Sequence, residues 1–376
     1  MPILKKYPFY LRSTVILFGL ILFTYALANL RGILIPLSFA LFLAMLLNPL
    51  NNRLQQWKIP KVLSIILSLV IAIVLIAAVW YFLATQMMHF TDQFPLLQKK
   101  SAELLSRLQQ LLTEKFDIPL QKQNQLIKEA EAGIKPLIGQ TLGTVAGTMT
   151  MIFLLPVYTF LFLYYKTLIL NFIYEIFAEE NAKEVSTVLK QVKGAIQSYM
   201  FGLLIEGLIV ATLNSIALLL LGVQYAILLG VLGAVLNVLP FIGGIIAVLL
   251  PILIATITRD GFQTQLFIII AYLVIQFVDN HFLVPYIVSS KVKINALISI
   301  VIVLMGGALW GVSGMFLSIP FIGVLKIIFD RIPEMQPWGK LLGDEVPVRH
   351  RGQLRNPIKI IRSITPGRRS GTKRED

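Results

Sequence analysis

The apolar residues of this chain are gathered into runs as long as a bilayer is thick. Thr14 to Leu30, Val62 to Ala84 and Leu203 to Leu221 are three of them. A hydrocarbon core about 30 Å thick takes about 20 predominantly apolar residues to cross as a helix. A soluble core helix needs only one apolar stripe. Of the 376 residues, 57% are hydrophobic and 14% charged, where a soluble domain carries about a quarter charged. An ordinary soluble enzyme is excluded before any motif is read. With no cysteine, disulfide frameworks, thiolate metal sites and cysteine nucleophiles are excluded too. His89, His281 and His350 lie far apart and lack metal-site spacing. No metal and no cofactor is expected.

The net charge is +14, and its placement sets the topology. Basic residues cluster at Lys5, Lys6 and Arg12, at Arg53, Lys58 and Lys61, at Lys291 and Lys293, and in the C-terminal tail. Short loops rich in Lys and Arg stay in the cytoplasm. One topology, with both termini cytoplasmic in a bacterial inner membrane, places every cluster on that side. Nucleic acid is not an expected partner, because these charges flank spans. The tail from Val346 to Arg374 holds nine Lys/Arg and no acid. It is read as disordered and close to anionic lipid headgroups, with a merely solubilising role as the alternative. The N-terminus imitates a secretory signal, but its apolar run is long for one and more spans follow. It is taken as an uncleaved first span.

The expected fold is an all-α polytopic membrane protein with six spans. They cover roughly 13–30, 33–50, 62–84, 145–165, 200–222 and 265–288. Pro36 and Pro49 are taken as boundary residues of the second span. Residues 1–84 make a three-span scaffold. Residues 85–144 are polar and nearly neutral, with Leu97, Leu104, Leu108 and Leu111 at helical spacing and a break at Asp117-Ile118-Pro119. They predict an extramembrane helical hairpin on the outer side, packed on the mouth of the protein or on a neighbouring subunit. Residues 145–199 hold the fourth span and amphipathic helices along the cytoplasmic surface. Residues 200–330 form the core, and 331–376 the basic tail.

Two apolar runs in that core are too long for one helix each. Ala226 to Ile257, as a single rod, would be about 48 Å long. It is interrupted by Asn237-Val238-Leu239-Pro240-Phe241-Ile242-Gly243-Gly244. Ile294 to Phe329 is interrupted between Met305 and Gly314 by Gly306, Gly307 and Gly311. Both are read as re-entrant hairpins of opposite direction, the first (226–257) entering from outside and the second (294–329) from the cytoplasm. The alternative is kinks in long tilted helices. Irregular backbone at membrane depth survives only when buried or lining a cavity, and two opposed breaks are one route to a transport site.

At these breaks the sequence resembles the autoinducer-2 exporter family of bacterial inner-membrane permeases. The matching residues are Leu239-Pro240-Phe241-Ile242-Gly243-Gly244, then Asp279-Asn280 with Pro285, then Gly306-Gly307, Gly311, Gly314 and Pro320 leading to Lys326. The order of spans and broken segments agrees over most of the chain. The sequence departs at Val284, where the family often has an acid, and at Ser289-Ser290 and Ile294-Asn295-Ala296. The resemblance implies export of a small polar solute such as autoinducer-2, or sodium (lithium)/proton antiport, by a homo-oligomer.

Candidate substrate-binding residues are Asn237, Pro240, Gly243, Gly244, Gly306, Gly307, Trp310 and Ser313. Candidates for ion or proton coupling are Glu206, Asp279 and Asn280, because ionisable groups in a membrane usually face a cavity or a partner. Glu206 bonding a neighbouring helix and Asp279 at the interface are the bland alternatives. Asn214 and Gln276 are read as interhelical hydrogen-bond formers. A non-transport alternative is a rhomboid-like serine protease, with Ser313 in Gly311-Val312-Ser313-Gly314 as nucleophile and His281 as base. The order of the two residues opposes it, and no enzymatic activity is expected.

Overall fold

The computed structural model describes residues 8–92, 94–117, 119–125, 128–129, 153–177, 182–238, 243–259, 261–288 and 294–344. Pro240, Lys291, Lys293, residues 130–152 and the basic tail from 345 fall outside the described residues. Every regular element among the described residues is a helix. The chain opens with α1 (Phe9–Asn29), α2 (Arg31–Gln56) and α3 (Lys61–Asp92). Five described helices are long and apolar enough to cross a membrane, and a sixth is counted if one bent pair is a single span. The chain is therefore a multi-pass membrane protein.

Pro36 and Pro49 do not bound the second span. Both lie inside α2. Neighbouring groups can satisfy the carbonyls that a proline strands in a buried helix. Pro49 deprives the Met45 carbonyl of its usual donor, and the side-chain amide of Gln197 donates to that oxygen at 2.6 Å. Against α2 pack α3 and α5 (Phe153–Tyr164), around Ala44, Leu47, Ile65, Leu69 and Leu163. The Ser64 hydroxyl bonds Asn51 inside this bundle.

The break at Asp117 is real: its φ is +55°. Beyond Pro119 the chain folds back on α4 (Phe94–Phe116), with the Gln123 amide donating to Thr113 Oγ1 at 3.1 Å. Helix α4 packs on α9 (Gly243–Thr258), the return arm of the first broken segment.

Helix α5 bends by 62° at Tyr165 into α6 (Lys166–Ile176). Next comes α7, Ala182–Leu220, a single helix of 39 residues. The separate surface helix expected up to residue 199 is thus continuous with the fifth span. Polarity changes near Tyr199, but a helix is ended by backbone chemistry, and no proline lies between 182 and 220. At 1.5 Å per residue α7 is about 58 Å long, so its polar first half projects beyond the apolar layer.

The first overlong run splits into α8 (Ala226–Asn237) and α9 (Gly243–Thr258), which lie side by side. A Cβ built on Gly233 would sit 3.5 Å from Ala247 Cβ. Both outer ends meet the end of α7, where Arg259 donates to the Gly222 carbonyl at 2.6 Å. Ala226, Leu229, Ala247, Ile254 and Ala255 pack with Leu218 and Ile268 as one core. Close approach replaces hydrophobic driving force in such packing: a Cβ on Gly230 would lie 2.6 Å from the Ser215 backbone nitrogen on α7. Helix α10 (Gln263–Val278) then widens into a π-helical stretch, Asp279–Val288.

The second overlong run, α11 (Ala296–Arg331), is two helical arms joined by non-helical backbone at Trp310 and Gly311, the latter at φ +61°, ψ −143°. The two arms double back. The Ser318 hydroxyl donates to the Ile302 carbonyl at 3.0 Å across 16 residues, a separation of about 24 Å in a straight helix. Without side chains, Gly306 and Gly314 let the arms touch backbone to backbone. A short helix, α12 (Gln336–Leu342), closes the described chain, with its Leu342 carbonyl accepting from Asn295 N at 2.9 Å.

Candidate functional site

Helix spacing builds a polar patch in the apolar interior. Glu206, Val210 and Asn214 fall on one face of α7 at intervals of four, and Tyr272, Gln276 and Asp279 fall on one face of α10 and its π extension. The first hairpin inserts the end of α8, Asn237, between these faces. Helix α8 is about 18 Å long, so its tip stops well short of a hydrocarbon thickness of about 30 Å. Asn237 Nδ2 donates to Asp279 Oδ2 at 2.9 Å, and Gln276 Nε2 reaches the same oxygen at 3.4 Å. Glu206 lies within electrostatic reach of Asp279.

Both carboxylates are shielded, Glu206 at 7% exposure and Asp279 at 2%. Among the described residues, one oxygen of each, with Asn214 Oδ1 and the Tyr272 hydroxyl, has no hydrogen-bond partner. Leaving such groups unmatched in an apolar interior costs several kcal/mol apiece at the upper end, so a ligand, proton or cation that satisfies them is favoured there. A cavity bounded by Asn214, Asn237, Tyr272, Gln276 and Asp279, with Gly233 and Ala247 as its small-residue walls, has room for about one water molecule. Gly244 lies beside this group: a Cβ on it would sit 2.6 Å from Gln276 Oε1.

Asn237, Gly243, Gly244, Glu206 and Asp279 are thus brought together, and Pro240 lies outside the described residues. Asn280 is at the rim, exposed and 3.4 Å from Gln276 Nε2. The second hairpin contributes no residue to the cavity. Gly306 serves the closure of its arms and Gly307 packs on Met315. The Trp310 indole donates to the Leu27 carbonyl near the C-terminal end of α1 at 3.0 Å. Ser313 is half-buried on the return arm, while His281 is exposed, bonded to the Phe277 carbonyl and stacked on the Phe277 ring. No described contact joins Ser313 to His281.

Tyr272 was missed as a site residue, and Asn214 and Gln276 were assigned only to helix pairing. The intervals from Tyr272 to Gln276 to Asp279 are the signal for two of them, and the intervals of four from Glu206 to Asn214 are the signal for the third. The π-helical stretch after Asp279 had only Pro285 to announce it; such stretches recur at functional sites.

A family model described as AI-2E family transporter matches residues 14–334. The AI-2 transport protein TqsA of Escherichia coli K12 is 27% identical over 316 residues, covering 83% of this chain and 90% of TqsA. YrrI of Bacillus subtilis 168, whose name gives a transport role provisionally, is 25% identical over 313 residues, 81% of this chain and 88% of YrrI. PerM of Escherichia coli K12, provisionally a permease, is 28% identical over 334 residues, covering 85% and 91%.

Proposed function

The chain belongs to the AI-2E family of transporters, and on that premise we propose that it is a permease exporting a small polar solute through the pocket at the tip of the first hairpin. One observation carries this: Asp279 accepts from Asn237 in the protein interior, Glu206 lies within electrostatic reach of Asp279, and among the described residues four polar atoms around them lack partners. Two shielded carboxyl groups within electrostatic reach of each other favour a proton or a cation beside them over an unscreened pair of like charges. Exchange of that charge for solute would couple export to an ion gradient. Autoinducer-2 is the candidate solute, on the strength of its transport by TqsA.

A second activity, sodium or lithium exchange for protons, is favoured by the size of the cavity. A site for about one water, edged by carboxylate, amide and hydroxyl oxygens, suits a bare monovalent cation. A sugar-sized solute would require α8 and α9 to move away from α7. In this scheme both broken segments are re-entrant hairpins, and the first moves against the scaffold formed by α2, α3 and α5. Trp310 and Ser313 in the second would then steady the scaffold rather than touch solute. The protein would sit in the bacterial inner membrane with both termini cytoplasmic, as a homo-oligomer whose basic tail lies near anionic headgroups.

Proteoliposomes loaded with autoinducer-2, sodium or lithium, with and without a proton gradient, test both activities. Export of autoinducer-2 that quickens with the gradient supports the first. Cation flux alone supports the second. No flux of any solute under either condition overturns the proposal.

A further inference from the structure

Away from the pocket, two lysines meet at the elbow between α5 and α6, with a third on α7 within electrostatic reach and no carboxylate bridging them among the described residues. Lys61, the first residue of α3, donates to the Tyr164 carbonyl at 2.7 Å and lies 5.0 Å from the centre of the Tyr164 ring. Lys166, the first residue of α6, donates to Asn48 Oδ1 at 2.8 Å. Lys193 of α7 and Lys61 are the charged groups whose fields act on Lys166. The one salt bridge among the described residues is elsewhere, between Lys326 and Asp330. Like charges held together without a counter-charge repel one another, so this arrangement favours an added anion.

A second observation points the same way. Asn48 is only 4% exposed, and its Nδ2 has no hydrogen-bond partner. The other end of the same amide holds Lys166. A shielded N–H donor without an acceptor carries a penalty of about 1–3 kcal/mol, which an anionic oxygen would remove. The start of α3 adds the positive end of a helix dipole beside Lys61. The elbow is at the end of the bundle that its basic residues assign to the cytoplasmic face.

We propose that Lys61, Lys166, Lys193 and the Asn48 amide form a phosphate-binding site at the α5–α6 elbow. The chemistry is that of a phosphate monoanion or diester: ammonium groups for charge and one amide N–H for direction. It is met by an anionic lipid headgroup of the inner leaflet or by free phosphate. Occupancy would tie α3, α6 and α7 together at one end of the scaffold.

The test uses the full-length protein purified in detergent. Native mass spectrometry after incubation with phosphatidylglycerol or phosphatidylcholine reads lipid binding, and phosphorus NMR line broadening reads inorganic phosphate. The Lys61→Gln/Lys193→Gln variant changes two exposed side chains, and Asn48→Asp replaces the free donor with an acceptor at constant shape. At the interaction typical of a basic residue beside anionic lipid, removing two lysines weakens binding roughly thirtyfold. Retention of phosphatidylglycerol over phosphatidylcholine, lost in both variants, supports a headgroup site. Line broadening of phosphate, lost in both variants while lipids bind alike, supports a free-phosphate site. Absence of both signals, or signals undiminished in either variant with thermal unfolding unchanged, overturns the proposal. So does a variant that loses binding only because it unfolds, if restoring its fold with other lipids restores phosphate binding.

Discussion

Gly243→Ala should open the first hairpin where it holds the pocket together. A Cβ there would lie 2.6 Å from the Leu236 carbonyl carbon and 2.9 Å from Asn237 Cα, and it would also meet the Leu236 carbonyl oxygen. Carbon atoms settle at about 3.5–4.0 Å, so α8 and α9 must part by about 1 Å at the tip. These are backbone atoms and cannot rotate away. The overpacking costs about 1–3 kcal/mol. Moving Asn237 by about 1 Å also stretches its 2.9 Å bond to Asp279 beyond hydrogen-bonding range, losing about 0.5–3 kcal/mol more. The sum is roughly 2–6 kcal/mol, a large share of an ordinary folding free energy. The unfolding temperature of the purified protein, followed by tryptophan fluorescence, should fall by about 2–8 °C. Gly194→Ala is the control: nothing lies within 4 Å of its added Cβ, so α7 should be unchanged or slightly more stable. If Gly243→Ala unfolds within about 1 °C of the parent with Asn237 still bonded to Asp279, the close packing of the tip has been misjudged.

Gly311→Ala places a side chain at φ +61°, ψ −143°, with strain of about 1–3 kcal/mol. Its unfolding temperature should drop although the added Cβ has open space around it; an unchanged value would mean that the turn relaxes freely. Trp310→Phe removes the indole donor to Leu27, a loss of about 1 kcal/mol. Hydrogen exchange should quicken at the joint between α1 and α2, and equal protection would show that this bond is incidental.

The long elements were legible because bilayer crossing leaves an unmistakable record in apolar run length. The broken runs were legible because Pro and Gly mark backbone that cannot continue as a rod, and Ser318 touching Ile302 is the physical consequence. Errors came where a helix boundary was inferred from polarity or from a proline. Residues 182–199 are charged on one side yet continue directly into the apolar half of α7, and Pro49 sits within α2 because Gln197, far away in sequence, supplies the missing donor. Glu206 and Asp279 could be singled out from their membrane setting, but their meeting could not. That depends on α7 and α10 crossing, which no local pattern encodes. The bond from Trp310 to Leu27 is out of reach for the related reason that a turn says nothing about which helix its tip will meet.

The carboxyl pair is the centre of the account, and ion-coupled flux in proteoliposomes probes it most directly. Asp279→Asn and Glu206→Gln keep the shape of the pocket while removing the exchangeable charge. Each variant should retain the parent's unfolding temperature within about 3 °C and lose gradient-driven flux by about tenfold or more, the factor that about 1.4 kcal/mol of coupling represents. Flux in both variants equal to that of the parent, at equal protein incorporation and with the same response to a proton gradient, would contradict it.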